Sequence, residues 1–219
     1  FKGLLHNFEA QAKITTAVGN IDLIGSSNRE NPQDNITYQA KINSKQFDIG
    51  KFLGIEILGN GALNVDAKAK VGDLKNLKCD LIANLENFEI NGNRYNSIEV
   101  EGEMKEGIVS AQCDIFDQAA MVNLNCEMDL MNNMATVLRA DLNEVNLQKM
   151  NFFNFPDTTA VISTDLIARV NGFNLDNLRA FIDFRNAIIS TQSKNYDIDY
   201  LNIRTRNDSI ENILTLNSN

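Results

Sequence analysis

Few side chains in this sequence have the type and spacing to do chemistry. The only histidine is His6, in Leu5-His6-Asn7, and no recognisable nucleophile accompanies it, so it reads as a surface residue. Cys79, Cys113 and Cys126 are an odd set without C-x-x-C spacing, which speaks against a zinc centre. Asp114 with Asp117, and Asp197 with Asp199, could be drawn as carboxylate pairs for acid–base work or for calcium. The carboxylates nevertheless alternate along the chain with Lys and Asn on what reads as a wet face, so solvated strand or turn residues are the expectation. No glycine-rich phosphate loop occurs. We therefore expect no enzyme, with no catalytic residue, no metal site and no cofactor.

Charge excludes further classes. The formal charge of −9 on 219 residues argues against nucleic acid, whose phosphates need a basic face, and against a surface adapted to anionic headgroups. Lys and Arg are scattered singly among Asp, Glu and Asn. No apolar run approaches the ~18 residues that would cross a bilayer as a helix. The chain begins at Phe1 without an initiator Met or a signal peptide, which reads as a mature or excised segment whose anchor would lie outside it. Asparagine is abundant, at roughly one residue in seven. Asn35-Ile36-Thr37 and Asn207-Asp208-Ser209 match the N-glycosylation pattern, and in so Asn-rich a chain we read both as chance.

The elements that must position these residues are strands. Apolar and polar residues alternate over Ile36–Ile42, Leu77–Leu85, Ile98–Met104, Val109–Ile115, Val122–Leu130 and Leu178–Phe184, each predicting a strand with one dry face. All three cysteines occupy dry slots, as small hydrophobes do. Turn signals at Asn91-Gly92-Asn93, Lys105-Glu106-Gly107, Asn132-Asn133, Gly172 and Ser193-Lys194-Asn195 separate the strands and predict antiparallel connections.

The chain is also written almost twice. Phe8-Glu-Ala10-Gln-Ala12-Lys-Ile14 returns as Val109-Ser-Ala111-Gln-Cys113-Asp-Ile115, and Leu63–Val71 returns as Ile162–Val170. The alternation breaks at Phe47–Leu53 and at its counterpart Asn146–Phe152, and again at Asp73–Leu77 and Asn174–Leu178, where a helical turn or bulged corner is expected. Between Val71/Val170 and Leu77/Leu178 the second copy gains two residues, and it loses two before Leu85/Phe184. Such steps preserve side-chain facing, whereas a single-residue step would invert it. The expectation is one continuous β-repeat segment, 1–219, with repeats 8–108 and 109–215 of roughly 100 residues sharing one apolar face.

Many dry positions are small, among them Ala10, Ala12, Ala40, Ala67, Ala69, Ala83, Ala111, Ala140, Ala168 and Ala180, and there is no tryptophan. An apolar surface that its own side chains cannot fill is a candidate ligand groove.

The run Phe47-Asp-Ile49-Gly-Lys51-Phe52-Leu53-Gly54 after an alternating strand, then Gly61-Ala-Leu-Asn-Val-Asp-Ala-Lys-Ala69, then Asp73-Leu-Lys-Asn-Leu77 and another strand, resembles the repeats of TamB-like and AsmA-like proteins. TamB is the inner-membrane component of the translocation and assembly module. The Asn- and Lys-rich style is similar to that of members from the Bacteroidetes. The resemblance covers nearly the whole chain and rests on the order of strands and connectors. It implies an all-β, elongated, curved antiparallel sheet, a taco-like half-pipe with an apolar concave face. It also implies an internal periplasmic stretch of a longer protein anchored in the inner membrane of a Gram-negative bacterium and serving outer-membrane biogenesis. The implied partners are phospholipid or another apolar chain and an outer-membrane barrel-assembly protein. Free cysteines are a departure from what a periplasmic chain leads one to expect.

On this reading the groove is lined by Val65, Ala67, Ala69, Leu81, Ala83, Val100, Val109, Ala111, Val122, Leu124, Leu166, Ala168 and Ile182. A strand of about 9 residues is roughly 30 Å long, comparable with an extended acyl chain. The competing expectation is a non-catalytic structural or adhesive β-sandwich module with a dry, filled core.

Overall fold

The computed structural model describes residues 2–4, 7–29, 35–70, 77–118, 120–151, 160–171, 179–207 and 212–218. It is all-β and antiparallel, as the alternation predicts, and it divides into two compact units, Phe1–Gly107 and Ile108–Asn219. His6, the Asp73–Asn76 part of one predicted corner, the whole of Asn174–Leu178, Phe152, Gly172 and Asp208–Ser209 lie outside the described residues.

The first unit contains β1 (Lys2–Leu4), β2 (Asn7–Thr16), β3 (Gly19–Asn28), β4 (Thr37–Asp48), a short helix α1 (Ile49–Leu53), β5 (Asn60–Lys70), β6 (Lys78–Ile90) and β7 (Asn93–Lys105). The second contains β8 (Ile108–Asp117), β9 (Ala120–Asp129), β10 (Ala135–Asn146), β11 (Val161–Asn171), β12 (Arg179–Ser190), β13 (Asn195–Asn207) and β14 (Asn212–Ser218). Within each unit every strand pairs with its sequence neighbour. Its substantial packing contacts are with those same neighbours. Each unit is thus an open meander, the topology that short connections favour.

Asparagine explains much of how the strands turn. Asn87, Asn91, Asn133, Asn151 and Asn186 all have φ near +50°, a region that Asn visits more readily than other non-glycine residues. Asn91 and Gly92, with φ of 51° and 79°, are the two central residues that join β6 to β7, matching the positive-φ demand of a tight hairpin.

Asn87 and Asn186 do something the alternation alone does not show. Leu85 pairs with Ile98 and Phe88 with Tyr95 in unchanged register, yet the buried positions move from odd to even on β6 and from even to odd on β7. On β12 the inward set likewise passes from Phe184 to Ala187 across Asn186. A single-residue change of facing is therefore built into these strands, just beyond Leu85 and Phe184, where the predicted alternating runs end. The left-handed Asn absorbs it locally.

The corner after β4 is helical. The Asp48 Oδ1 accepts the Lys51 backbone N–H at 2.9 Å, and Gly54, with φ of 71°, ends the helix in the left-handed conformation. The corner after β10 is a turn over Leu147–Met150 and not a helix, but Asn146 Oδ1 accepts the Lys149 N–H at 2.8 Å in the same manner. Both corners follow a register shift, Ser44/Phe47 on β4 and Leu142/Val145 on β10. Both close on a later backbone carbonyl, Ile49 N–H to Gly59 and Leu147 N–H to Ala160.

The best-buried residues of the first unit collect beside its corner: Phe47, Leu63, Phe88, Tyr95 and Ile98. In the second unit the buried set is smaller in volume, with Ile115, Val122, Val145 and several alanines. No helix among the described residues is long and apolar enough to cross a membrane.

Candidate functional site: an apolar sheet face

Residues directly opposite each other on antiparallel strands share a face, so the pairing register shows which side chains meet. In the first unit one row runs Ala12, Leu23, Ile42, Val65, Ala83, Val100 across β2 to β7. The next row runs Ala10, Gly25, Ala40, Ala67, Leu81, Gly102, and a third runs Phe8, Ser27, Tyr38, Ala69, Cys79, Met104. The middle row is made almost wholly of residues with no side chain beyond Cβ, a shallow furrow between two bulkier rows.

The second unit carries a comparable face. One row is Ala111, Cys126, Leu138, Ala168, Ile182 and Ile203, and a second is Cys113, Leu124, Ala140, Leu166, Phe184 and Leu201. Val122 pairs with Ile115 and Leu142, and Val109 with Met128. Here the small residues are mixed with large ones, so the furrow is less distinct.

All thirteen residues expected to line a groove fall in these rows or in the Val122 and Val109 pairs beside them. Of these only Ala83, Val122 and Ala168 are buried, and the other ten are half-buried. In a two-layered sandwich the inner faces interdigitate and disappear from solvent. Within each unit the close backbone neighbours of each strand are its sequence neighbours, and ten of the thirteen residues keep part of their surface open to solvent. Gly25 and Gly102 are members of the furrow that sequence reasoning missed. Glycine carries no hydropathy signal, and only its parity with Leu23 and Val100 along the strand could have pointed to it.

The opposite face is polar and self-neutralising in the first unit. Lys41 Nζ lies 2.9 Å from Asp66 directly across β4 and β5, and Lys13 lies 3.8 Å from Asp22 across β2 and β3. Asn43, Asn64 and Asn84 form a ladder in register beside them. These are exposed contacts worth about 0–1 kcal/mol each, which solubilise the face more than they hold it.

The chemistry-bearing candidates do not assemble. Asp114 and Asp117 sit at positions of opposite parity on β8, and Asp114 is occupied by Asn123 and Gln112. Asp197 and Asp199 share one exposed strand face of β13. No group of three or more His, Cys, Asp or Glu suited to a metal occurs among the described residues. The cysteines are free and half-buried on the apolar face. Burial pushes the thiols of Cys113 and Cys126 above their usual range, and for Cys113 the neighbouring Asp114 charge adds to this.

No protein-family model, curated protein or solved structure matches this chain. The rows offer many weak, similar apolar contacts, interrupted by the hydroxyls of Ser27 and Tyr38 and by the three free thiols.

Proposed function

We propose that this chain is a TamB-like, AsmA-like periplasmic segment of an outer-membrane biogenesis protein. Its apolar face shields lipid acyl chains, or nascent outer-membrane β-strands, between the inner and outer membranes. It acts without catalysis, as part of a longer protein anchored in the inner membrane. Its other partner would be an outer-membrane barrel-assembly protein.

The observation that carries this reading is the in-register furrow from Ala10 to Gly102, flanked by larger apolar rows and half-exposed to solvent. The furrow crosses the six strands β2–β7, roughly 24 Å at about 4.8 Å per strand spacing, a length comparable with an extended acyl chain. In this reading the sheet bends into a half-pipe with that face inside. Covering the tails there would repay about 25 cal/mol for each Å² of apolar surface removed from water.

In the same reading the chain consists of two copies of one unit. The paired features on either side of Gly107 support it: the cap residues Asp48 and Asn146, the register shifts on β4 and β10, and the left-handed Asn87 and Asn186. Repetition suits transport, since equal sites let a cargo slide where one deep pocket would retain it.

Organic extraction of the purified chain followed by mass spectrometry tests the reading. Acyl lipid should co-purify with the wild type and be lost from Ala67→Asp, whose side chain is half-buried and whose strands should persist by circular dichroism. Ala168→Asp probes the second unit in the same way. A chain that carries no lipid, or carries as much after Ala67→Asp, sinks the proposal and favours a structural or adhesive module.

A further inference from the structure

On the polar face of the second unit, charge and aromatic surface meet in a way the apolar face does not explain. Val137 on β10, Arg169 on β11, Phe181 on β12 and Arg204 on β13 are successive partners in register, forming one row across four strands. Their parity is opposite to that of Ala168 and Ile182, so the row faces away from the proposed lipid surface. The guanidinium carbons of Arg169 and Arg204 stand 5.9 and 5.0 Å from the Phe181 ring centroid, flanking it from the strands on either side. Asn171 and Arg179, partners two residues further along, extend the same face. With their strand neighbours these residues line a shallow, open depression of about 660 Å³. Small-molecule sites run from roughly 300 to 1,000 Å³.

The second unit holds fourteen acidic and eight basic side chains, yet among the described residues no carboxylate lies within ion-pair distance of Arg169, Arg179 or Arg204. The acids on the same face are engaged elsewhere. Asp183 holds Arg185 at 2.9 Å, and Asp165 accepts from Asn186 at 3.0 Å. Asp129 accepts the N–H groups of Met131 and Asn132, and Glu127 stands two strands away from Arg169. Arg204 donates its Nε to Asn202 Oδ1 at 2.8 Å, which orients the guanidinium by its stem side.

We propose that this pocket binds an organic phosphate. The oxyanion is held by Arg169, Arg179 and Arg204, and an apolar or aromatic body lies against Phe181 and Val137. Guanidinium forks match phosphate oxygens in pairs, and cation–π contact with a ring pre-orients them. A purely apolar ligand would gain nothing from the arginines, and an inorganic anion would gain nothing from Phe181. The site is independent of the acyl-chain reading, because it lies on the other face. The same chemistry could reach it from a soluble organic phosphate or from a lipid headgroup, and the test separates these sources.

Phenyl phosphate and inorganic phosphate are titrated into the purified chain by calorimetry, and flotation is measured with vesicles of phosphatidylglycerol or of phosphatidylcholine. Phenyl phosphate should bind more tightly than inorganic phosphate, and Arg169→Gln and Arg204→Gln should each weaken it about tenfold or more. Arg204→Lys, which keeps the charge but loses the fork, should fall between. Phe181→Leu should remove the preference for the phenyl group. Flotation with phosphatidylglycerol alone, lost in the same variants, would identify the headgroup as the source, and phenyl phosphate binding without flotation would identify a soluble one. Both arginine sites are exposed, so circular dichroism should show the variants folded. If neither probe binds, or if folded Arg169→Gln and Arg204→Gln bind as the wild type does, the proposal is overturned.

Discussion

Gly61 lies directly against Phe88: a Cβ built on the glycine would come 2.7 Å from Cδ2 of the ring and 2.8 Å from the Phe88 Cα. The missing side chain lets β5 and β6 close over a ring that is 2 % exposed. Gly25, in the apolar furrow, differs. A Cβ there would meet nothing nearer than 3.9 Å. One glycine sits in a filled corner and the other on an open face. Gly61→Ala should destabilise by about 1–3 kcal/mol through overpacking. Gly25→Ala should be neutral, or stabilising by up to about 1 kcal/mol. Urea unfolding of the two variants measures the contrast, and equal losses would show that the furrow is packed.

Asn87 carries the change of facing between Leu85 and Phe88 with φ of 47°. Asn87→Gly should leave stability within a few tenths of a kcal/mol, while Asn87→Val should lose about 1–2 kcal/mol because a β-branched residue resists that conformation. Thermal unfolding would expose the difference. A Val variant as stable as wild type would mean that the strand can shift its register instead.

Asp48 links stability to acid. Its hydrogen bond from the Lys51 N–H, followed by that residue's side chain at 3.0 Å, holds its pKa below the ordinary 3.8. A carboxyl depressed by folding contributes stability that is complete above its unfolded pKa and is lost as pH falls through the lower folded value. Asp48→Asn keeps the acceptor and should remove this dependence below about pH 4. Asn146, which caps its corner without a charge, is the internal comparison: Asn146→Asp should introduce an acid-sensitive component. Unfolding midpoints measured from pH 2.5 to 7 would decide, and parallel curves for wild type and Asp48→Asn would refute the assignment.

The thiols offer a test of burial on the apolar face. Burial raises the Cys113 and Cys126 pKa above the usual 9.0, so both should alkylate slowly at pH 7 and accelerate as pH rises past that value. Asp114→Asn should speed Cys113 modestly, since the carboxylate contributes to its shift, and should leave Cys126 unchanged. Peptide mapping after timed iodoacetamide treatment reads each site separately. Rapid labelling of both at pH 7 would contradict the described burial.

Much of the fold was legible residue by residue. The alternating runs end where the structure changes facing: the run through Leu85 stops before Asn87, and the run through Phe184 stops before Asn186. Asn91-Gly92 announced its hairpin, and the apolar parity of Val65, Ala67, Leu124 and Ala168 was readable from their immediate neighbours. The packed corner was not. Phe47, Phe88 and Tyr95 come from three strands, and nothing local says that Gly61 leaves room for one of them. The helix at Ile49–Leu53 and the plain turn at Leu147–Met150 were equally open, because a single turn of helix is decided by what it packs on.

By itself the sequence determined strands, turns and which side of each strand is dry, because those depend on residues one or two positions apart. Only the tertiary structure decided which strands' residues share a row. Ala10, Gly25, Ala40, Ala67, Leu81 and Gly102 become one furrow, and Arg169, Phe181 and Arg204 one pocket, through register. Register is set by turn lengths and bulges summed across several hairpins, and it moves every side chain on a strand together.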